Sequence, residues 1–384
     1  MKNVLLIGID GCYNYGCEAI VRGTVNILKS IDSAINVSYA SYNYDDDVKR
    51  LANCDVHILA RPRRKRWTFR NIVRKGLSFL GIKYHLQYDS IGWLKGFDTL
   101  FSIGGDIYTL SSDGKYNQAL PLFLEKCQQR GLSYVLWGAS VGKFEKNPAA
   151  LTFFCSHLLK TNLIVARERI TIDYLKSLNI VQNVCFAPDP AFFVECPKLD
   201  EYRQKDHRLT IGINLSPMSA LYEYENLDIA IQRQSKAIIN LIELMQCNVM
   251  LLPHVISPNP QDNDFIYLQK IYDKVKVHCG SAIMLVDNDP GFVGLKLYIK
   301  QCDYVIAARM HCAVNAITVS VPTLFLSYSE KAKGMADFVY NSNETVVSLA
   351  DFENISLIVE KLKNWHWNSN IDEIRKFNFN KILK

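Results

Sequence analysis

The sequence predicts an α/β protein of two similar halves, each a parallel sheet with helices on both faces. Three observations predict it. Short apolar runs alternate with helical patterns along the whole chain. Several runs, among them Thr99–Ile103, end in a glycine-bearing turn. The alternation pauses at residues 189–207, a stretch with two prolines and several charges, and then restarts.

In the first half, residues 2–9 read as a strand. Residues 16–30 follow with helical spacing, placing Ala19, Ile20, Val25 and Leu28 toward one side. Residues 37–42, 99–103, 133–137 and 163–166 read as further strands. In the second half the expected strands are 209–215, 248–254, 276–278, 304–308 and 323–327. Helices are expected at 229–245, 262–272, 290–301 and 312–319. The implied domains are 1–195 and 208–350, with a helical tail at 351–384. Open α/β sheets bind ligands at the carboxyl ends of their strands, so a cleft between two such halves is the expected site.

Composition narrows the class. At 384 residues the chain is too long for one ordinary core. Its 49% hydrophobic and 21% charged residues are those of a globular protein. A net charge of +6 spread over this length is a poor signal for nucleic acid. No run reaches the roughly 18 apolar residues of a membrane span. The N-terminal apolar run stops at Asp10 and lacks a cleavage site, so it reads as a buried strand and not a signal peptide. Eleven cysteines, an odd number without a CxxC pair, speak against a disulfide framework or structural zinc and for a reducing cytoplasm. No metal site is expected.

Seven segments could carry chemistry, nearly all at strand ends. Asp10-Gly11-Cys12-Tyr13-Asn14-Tyr15-Gly16-Cys17-Glu18-Ala19 opens a helix, where backbone N–H groups favour an anion. It lacks dinucleotide-binding glycine spacing, and it also reads as a plain turn capped by Asn14. Gly104-Gly105-Asp106 and Gly138-Ala139-Ser140-Val141-Gly142 let backbone approach a ligand closely. Arg167 ends a strand and suits a carboxylate or phosphate, or else a salt bridge with Glu168 or a neighbour. Arg309 ends another strand beside His311, which begins a helix and is thereby suited to remain neutral and act as a base. A surface arginine and a helix-capping histidine would look the same. His254, followed by Asp262 and Asp264, could bind a sugar, and Lys331 could hold an anion.

Taken together, Asn14-Tyr15-Gly16-Cys17-Glu18-Ala19, Gly104-Gly105-Asp106, Gly138 to Gly142, Ala166-Arg167-Glu168, Pro188-Asp189-Pro190-Ala191-Phe192, His254, Arg309-Met310-His311 and Tyr328 with Lys331 resemble the polysaccharide pyruvyl transferase family. The resemblance runs from about Ile7 to about Val339. It implies two Rossmann-like domains facing a cleft, a GT-B-like fold, with phosphoenolpyruvate as donor substrate and no cofactor. It carries Arg167, Arg309 and His311 over as donor-site residues. On this expectation His311 and Arg309 are catalytic, and Arg167, Arg309, Lys331, Gly104 and Gly105 bind the donor. Asn14, Glu18, His254 and Asp106 face the acceptor, a glycan or lipid-linked sugar, with 1–195 expected to form the acceptor side and part of the donor site and 208–350 the donor site. A sugar-nucleotide glycosyltransferase of the same fold and a non-catalytic glycan-binding relative are the alternatives.

The run 61–75 holds Arg61, Arg63, Arg64, Lys65, Arg66, Arg70, Arg74 and Lys75, with Trp67 and Phe69 among them and no acid. It reads either as a solvated basic loop or as a peripheral contact with an anionic membrane. The second reading would place a cytoplasmic enzyme at the inner membrane face.

Overall fold

A computed structural model describes residues 1–61, 73, 77, 92–105, 107–111, 113–197, 208–327, 331–366 and 368–383, apart from the Lys331 side chain. Asp106 and, save Arg61 and Val73, the basic run 61–75 lie outside the described residues. So do residues 198–207 of the expected linker.

The chain forms two compact units. The first comprises Met1–Cys12, Ile20–Pro190 and Asn378–Lys384; the second comprises Tyr13–Ala19 and Ala191–Phe377. The stretch 351–384 is thus divided, most of it belonging to the second unit.

The first unit holds a seven-stranded parallel sheet in the order β3-β2-β1-β4-β5-β6-β7. Its strands are β1 (Asn3–Ile7), β2 (Asn36–Ser41), β3 (His57–Ala60), β4 (Thr99–Ile103), β5 (Ser133–Ala139), β6 (Leu163–Ala166) and β7 (Val184–Phe186). The second holds a six-stranded sheet in the order β10-β9-β8-β11-β12-β13. These are β8 (Thr210–Asn214), β9 (Asn248–Leu251), β10 (Ile283–Leu285), β11 (Tyr304–Ala307), β12 (Thr323–Ser327) and β13 (Val346–Ser348). All pairings between these strands are parallel.

Central strands such as Leu5-Leu6-Ile7 and Val305-Ile306-Ala307 are almost wholly buried, which is why they read as unbroken apolar runs. Each sheet reverses its strand order once, between β1 and β4 and between β8 and β11. Crevices outside the carboxyl ends at such reversals are where open α/β sheets bind ligands.

One expected element is wrong in kind. Residues 276–278 lie in the last turn of the helix Asp264–Cys279, not in a strand. The alternation Lys276-Val277-His278 mimics a strand period, but Val277 is 82% exposed and Val275 is in the core. Nothing stops the helix before Gly280, whose φ of +54° few other residues adopt. The strand at this point is β10, after that glycine. The short strands β3, β7 and β13 are additions to the sequence reading. Among the described residues no helix is long and apolar enough to cross a membrane.

Candidate functional site

Within the second unit, a polar cluster forms at the strand reversal. Asn214 ends β8, and its side-chain Oδ1 accepts the Arg309 backbone N–H at 2.8 Å just after β11. Its amide donates to the Leu252 carbonyl, also at 2.8 Å. The buried Asn214 thereby fixes where the Arg309 side chain leaves the backbone.

The Arg309 guanidinium then meets two carboxylates. Nη2 donates to Asp262 Oδ1 and to Asp264 Oδ1, each at 2.8 Å, while Nε lies 3.2 Å from Asp264 Oδ1. Nη1 approaches the Met218 sulfur at 3.9 Å. Asp264 is fully buried and also accepts the His254 and Val255 backbone N–H groups at 3.1 Å. Burial raises its pKa, and Arg309 pulls against that rise. Burial alone would loosen the Arg309 proton, but Asp264 and Asp262 outweigh burial and hold it more tightly than in free arginine. Arg309 is therefore neutralised from within the protein, which residue order alone did not disclose.

Tyr13–Ala19 packs onto this cluster as part of the same unit. Tyr15 N–H donates to the His254 carbonyl at 3.0 Å, and Ile256 N–H donates to the Tyr13 carbonyl at 2.9 Å. Asn14 accepts the Gly16 N–H through its side chain at 3.0 Å, which starts the helix Tyr15–Ile31. Gly16 lies against the imidazole of His311, in the first turn of the helix Met310–Ile317. A Cβ on Gly16 would stand 2.5 Å from His311 Nδ1, so any larger residue there must displace the ring or the turn.

Glu18 is buried and accepts the Phe292 N–H at 2.9 Å, at the start of the helix Gly291–Ile299, where its negative charge suits the helix dipole. Gly291, at φ +69°, leaves the space that the Glu18 carboxylate fills. His254 is 1% exposed and packs edge-on against Tyr15 and Phe292. Burial, joined by the charges of His311, Arg309 and Lys296, pushes its pKa well below the usual histidine value and keeps it neutral. Its Nε2 has no hydrogen-bond partner among the described residues.

A second cluster belongs to the first unit. Arg167, 2% exposed, donates through Nη1 to the buried Asp189 at 2.7 Å and through Nε to Ser140 at 3.1 Å. Gly105 lies beneath the same guanidinium: a Cβ there would be 2.3 Å from Nη2. Ser140 N–H donates to the Gly105 carbonyl at 3.0 Å. Gly138, at φ +63°, makes room for the Pro190 ring. The second, third and fourth sequence segments and the Pro-Asp-Pro motif thus form one structure.

Of the residues singled out from sequence, the second unit gathers Asn14, Glu18, His254, Arg309 and His311, and the first gathers Gly105 and Arg167. Gly104, at φ +118°, turns the chain after β4 but faces Ile9 and Ile107. Lys331 heads the helix Lys331–Tyr340. The sequence reading missed Asp189 and Asp264 as arginine partners. Their signals were faint: an acid between two prolines, and an acid in a helix's first turn. Among the described residues no group of three or more His, Cys, Asp or Glu side chains could hold a metal ion.

Solved structures share the fold. A UDP-GlcNAc 2-epimerase from Methanocaldococcus jannaschii superposes with a TM-score of 0.58 at 11% identity, covering 98% of each chain. One from Neisseria meningitidis bound to UDP-GlcNAc gives 0.56 at 13%, covering 98% of this chain and 93% of the other. An Anabaena protein, Alr3699/HepE, in complex with UDP and glucose gives 0.53 at 9%, covering 98% and 97%. At such identities the likeness establishes the GT-B-like fold. No curated protein matches the sequence. A family model described as polysaccharide pyruvyl transferase matches residues 14–330, from the Asn14 turn through Arg167, His254 and His311. The chain belongs to the polysaccharide pyruvyl transferase family.

Proposed function

We propose that the protein moves a pyruvyl group from phosphoenolpyruvate onto two hydroxyls of one sugar in a surface polysaccharide or its lipid-linked precursor. A proton adds to the donor methylene, and a sugar hydroxyl attacks the adjacent carbon and loses its proton. Phosphate leaves, and the second hydroxyl closes the cyclic ketal with loss of its own proton. One proton enters at carbon, two leave the hydroxyls, and the remaining one departs with phosphate.

His311 is the proposed proton carrier. The observation that carries this is its seat against Gly16, where the family's Asn-Tyr-Gly turn fixes the imidazole. A fixed imidazole can both give and take protons. Arg167, Arg309 and Lys331 are the proposed cations for the donor's carboxylate and phosphate, and Gly104 and Gly105 the proposed donor-side backbone. The pairing of Arg309 with Asp262 and Asp264 assigns it mainly to orientation. Asn14, Glu18, His254 and Asp106 are the proposed acceptor side. The buried Glu18 and His254 act there through the elements they hold. Incubation of candidate glycans with phosphoenolpyruvate, followed by mass spectrometry, tests the reading. Ketal-bound pyruvate with matching phosphate release supports it, and neither product over a broad glycan panel sinks it.

The UDP-containing neighbours favour a second reading, a sugar-nucleotide glycosyltransferase of the same fold. Binding of a sugar nucleotide without any binding of phosphoenolpyruvate would select it.

A further inference from the structure

The helix Pro217–Glu223 follows β8 directly, beside the strand reversal of the second unit. Ser216 caps it by accepting the Ser219 N–H at 3.1 Å, and Pro217 occupies its first turn. Its inner side buries Pro217, Ser219 and Ala220. Its outer side carries Met218, Leu221 and Tyr222, 40%, 54% and 64% exposed. Positions i, i+3 and i+4 share one helix face, so these three make a continuous apolar stripe turned to solvent.

Polar groups border the stripe at one end. The Met218 sulfur is in contact with Arg309 Nη1. On the same guanidinium sits Asp262, whose side chain is 32% exposed and has only one oxygen engaged by Arg309. An apolar face edged by a half-exposed carboxylate matches a pyranose ring, which has an apolar C–H face and a hydroxyl-bearing edge.

We propose that Met218, Leu221 and Tyr222 form the platform on which a sugar ring of the acceptor rests, with Asp262 accepting its hydroxyls. This subsite rests on the acceptor being a glycan, and it assigns that acceptor a place in the second unit. Tyr222 covers the ring's C–H face, and Arg309, held by Asp264, keeps the Asp262 carboxylate turned outward.

The full chain labelled with methyl-13C methionine gives the test, with Met218→Leu assigning the Met218 signal. The probes are the methyl glycosides of galactose, glucose, mannose and N-acetylglucosamine. The Met218 signal is expected to move saturably with at least one. Tyr222→Ala and Asp262→Asn should each weaken that binding by roughly tenfold. An unmoved Met218 signal with all four glycosides overturns the subsite, as does movement that survives both substitutions. A chain that sediments as a dimer, split by Tyr222→Ala and indifferent to glycosides, also overturns it, because a second copy then covers the stripe. Glycoside binding without pyruvyl transfer would sink the proposed reaction and leave the subsite. Transfer with an unmoved Met218 would do the reverse.

Discussion

Gly16 and His311 meet so closely that a single methyl group on Gly16 would fall 2.5 Å from the imidazole Nδ1. Backbone of one segment thereby sets the ring position of another. Gly16→Ala must move the imidazole, the helix start, or both. With phosphoenolpyruvate as donor, turnover is expected to fall by about two decades, the scale of a misplaced catalytic group. His311→Ala should lower it by about two to four decades. Single-turnover kinetics beside calorimetric donor binding measure both. Near-normal turnover in His311→Ala would reduce His311 to a helix-start residue.

Asp262 and Asp264 hold the same arginine but differ in burial. Asp264→Ala leaves Arg309 and two backbone amides without their buried acceptor, and should cost about 3–5 kcal/mol of stability. Asp262→Ala removes a partly exposed partner and should cost about 1 kcal/mol or less. Urea denaturation of the two variants gives the comparison, and equal losses would contradict the assigned burial.

Arg167 has a structural partner and a proposed ligand, and the two roles separate. Arg167→Met strands the Asp189 carboxylate and should destabilise by about 3–5 kcal/mol. Arg167→Met combined with Asp189→Leu replaces the pair by apolar groups and should recover most of that loss. Donor affinity should stay lost in both. Calorimetry showing donor binding restored in the double variant would remove Arg167 from the donor site.

Lys296 is buried on the helix Gly291–Ile299, donates to Thr318 Oγ1 and lies over the Phe292 ring. Burial, with Arg375 and Lys300 adding to it and Cys196 opposing, lowers its pKa from 10.5 to about 7. The unfolded chain then binds the proton more readily than the folded one between about pH 7 and pH 10.5. Stability contributed through this group should rise with pH across that window and level off below it, at about 1.4 kcal/mol per unit of pKa difference. Lys296→Met should stabilise the protein at pH 7 and flatten the rise toward pH 10. Parallel melting profiles of variant and wild type over that range would refute it.

The basic run 61–75 is the proposed peripheral contact with a cytoplasmic membrane surface. Wild type should pellet with anionic liposomes at low salt, and a variant with these lysines and arginines changed to glutamine should not. Equal pelleting of the two would leave a solvated loop. Arg61, the one described cation of the run, lies 3.9 Å over the Trp93 ring.

Much of the fold was legible because buried parallel strands must be apolar throughout. Leu5-Leu6-Ile7 and Val305-Ile306-Ala307 announce themselves. Short edge strands such as β3 and β13 bury fewer side chains and left weaker patterns. The helix end at residues 276–278 misled because charged and valine residues alternate in its final turn. At the site, glycines and strand-end cations were readable by position, since turns after parallel strands demand them. Their partners were not. Asp264 and Asp189 lie 45 and 22 residues from the arginines they hold, and no local periodicity encodes that pairing. The bond from the Phe292 amide to Glu18, 274 residues apart, was equally hidden from any local pattern.

Tyr13–Ala19 belongs to the second unit although the rest of the first 190 residues belongs to the first. Tyr15 and Ala19 are wholly buried in a core otherwise formed by residues 191–374. A gene fragment beginning at residue 191 would encode that core with two of its side chains missing, and without the backbone that pairs with residues 254–256. The halves are therefore not interchangeable cassettes. Recombination at the interdomain joint would carry the Asn14 turn away with the wrong partner, so exchange between relatives is viable only when both pieces of the second unit travel together.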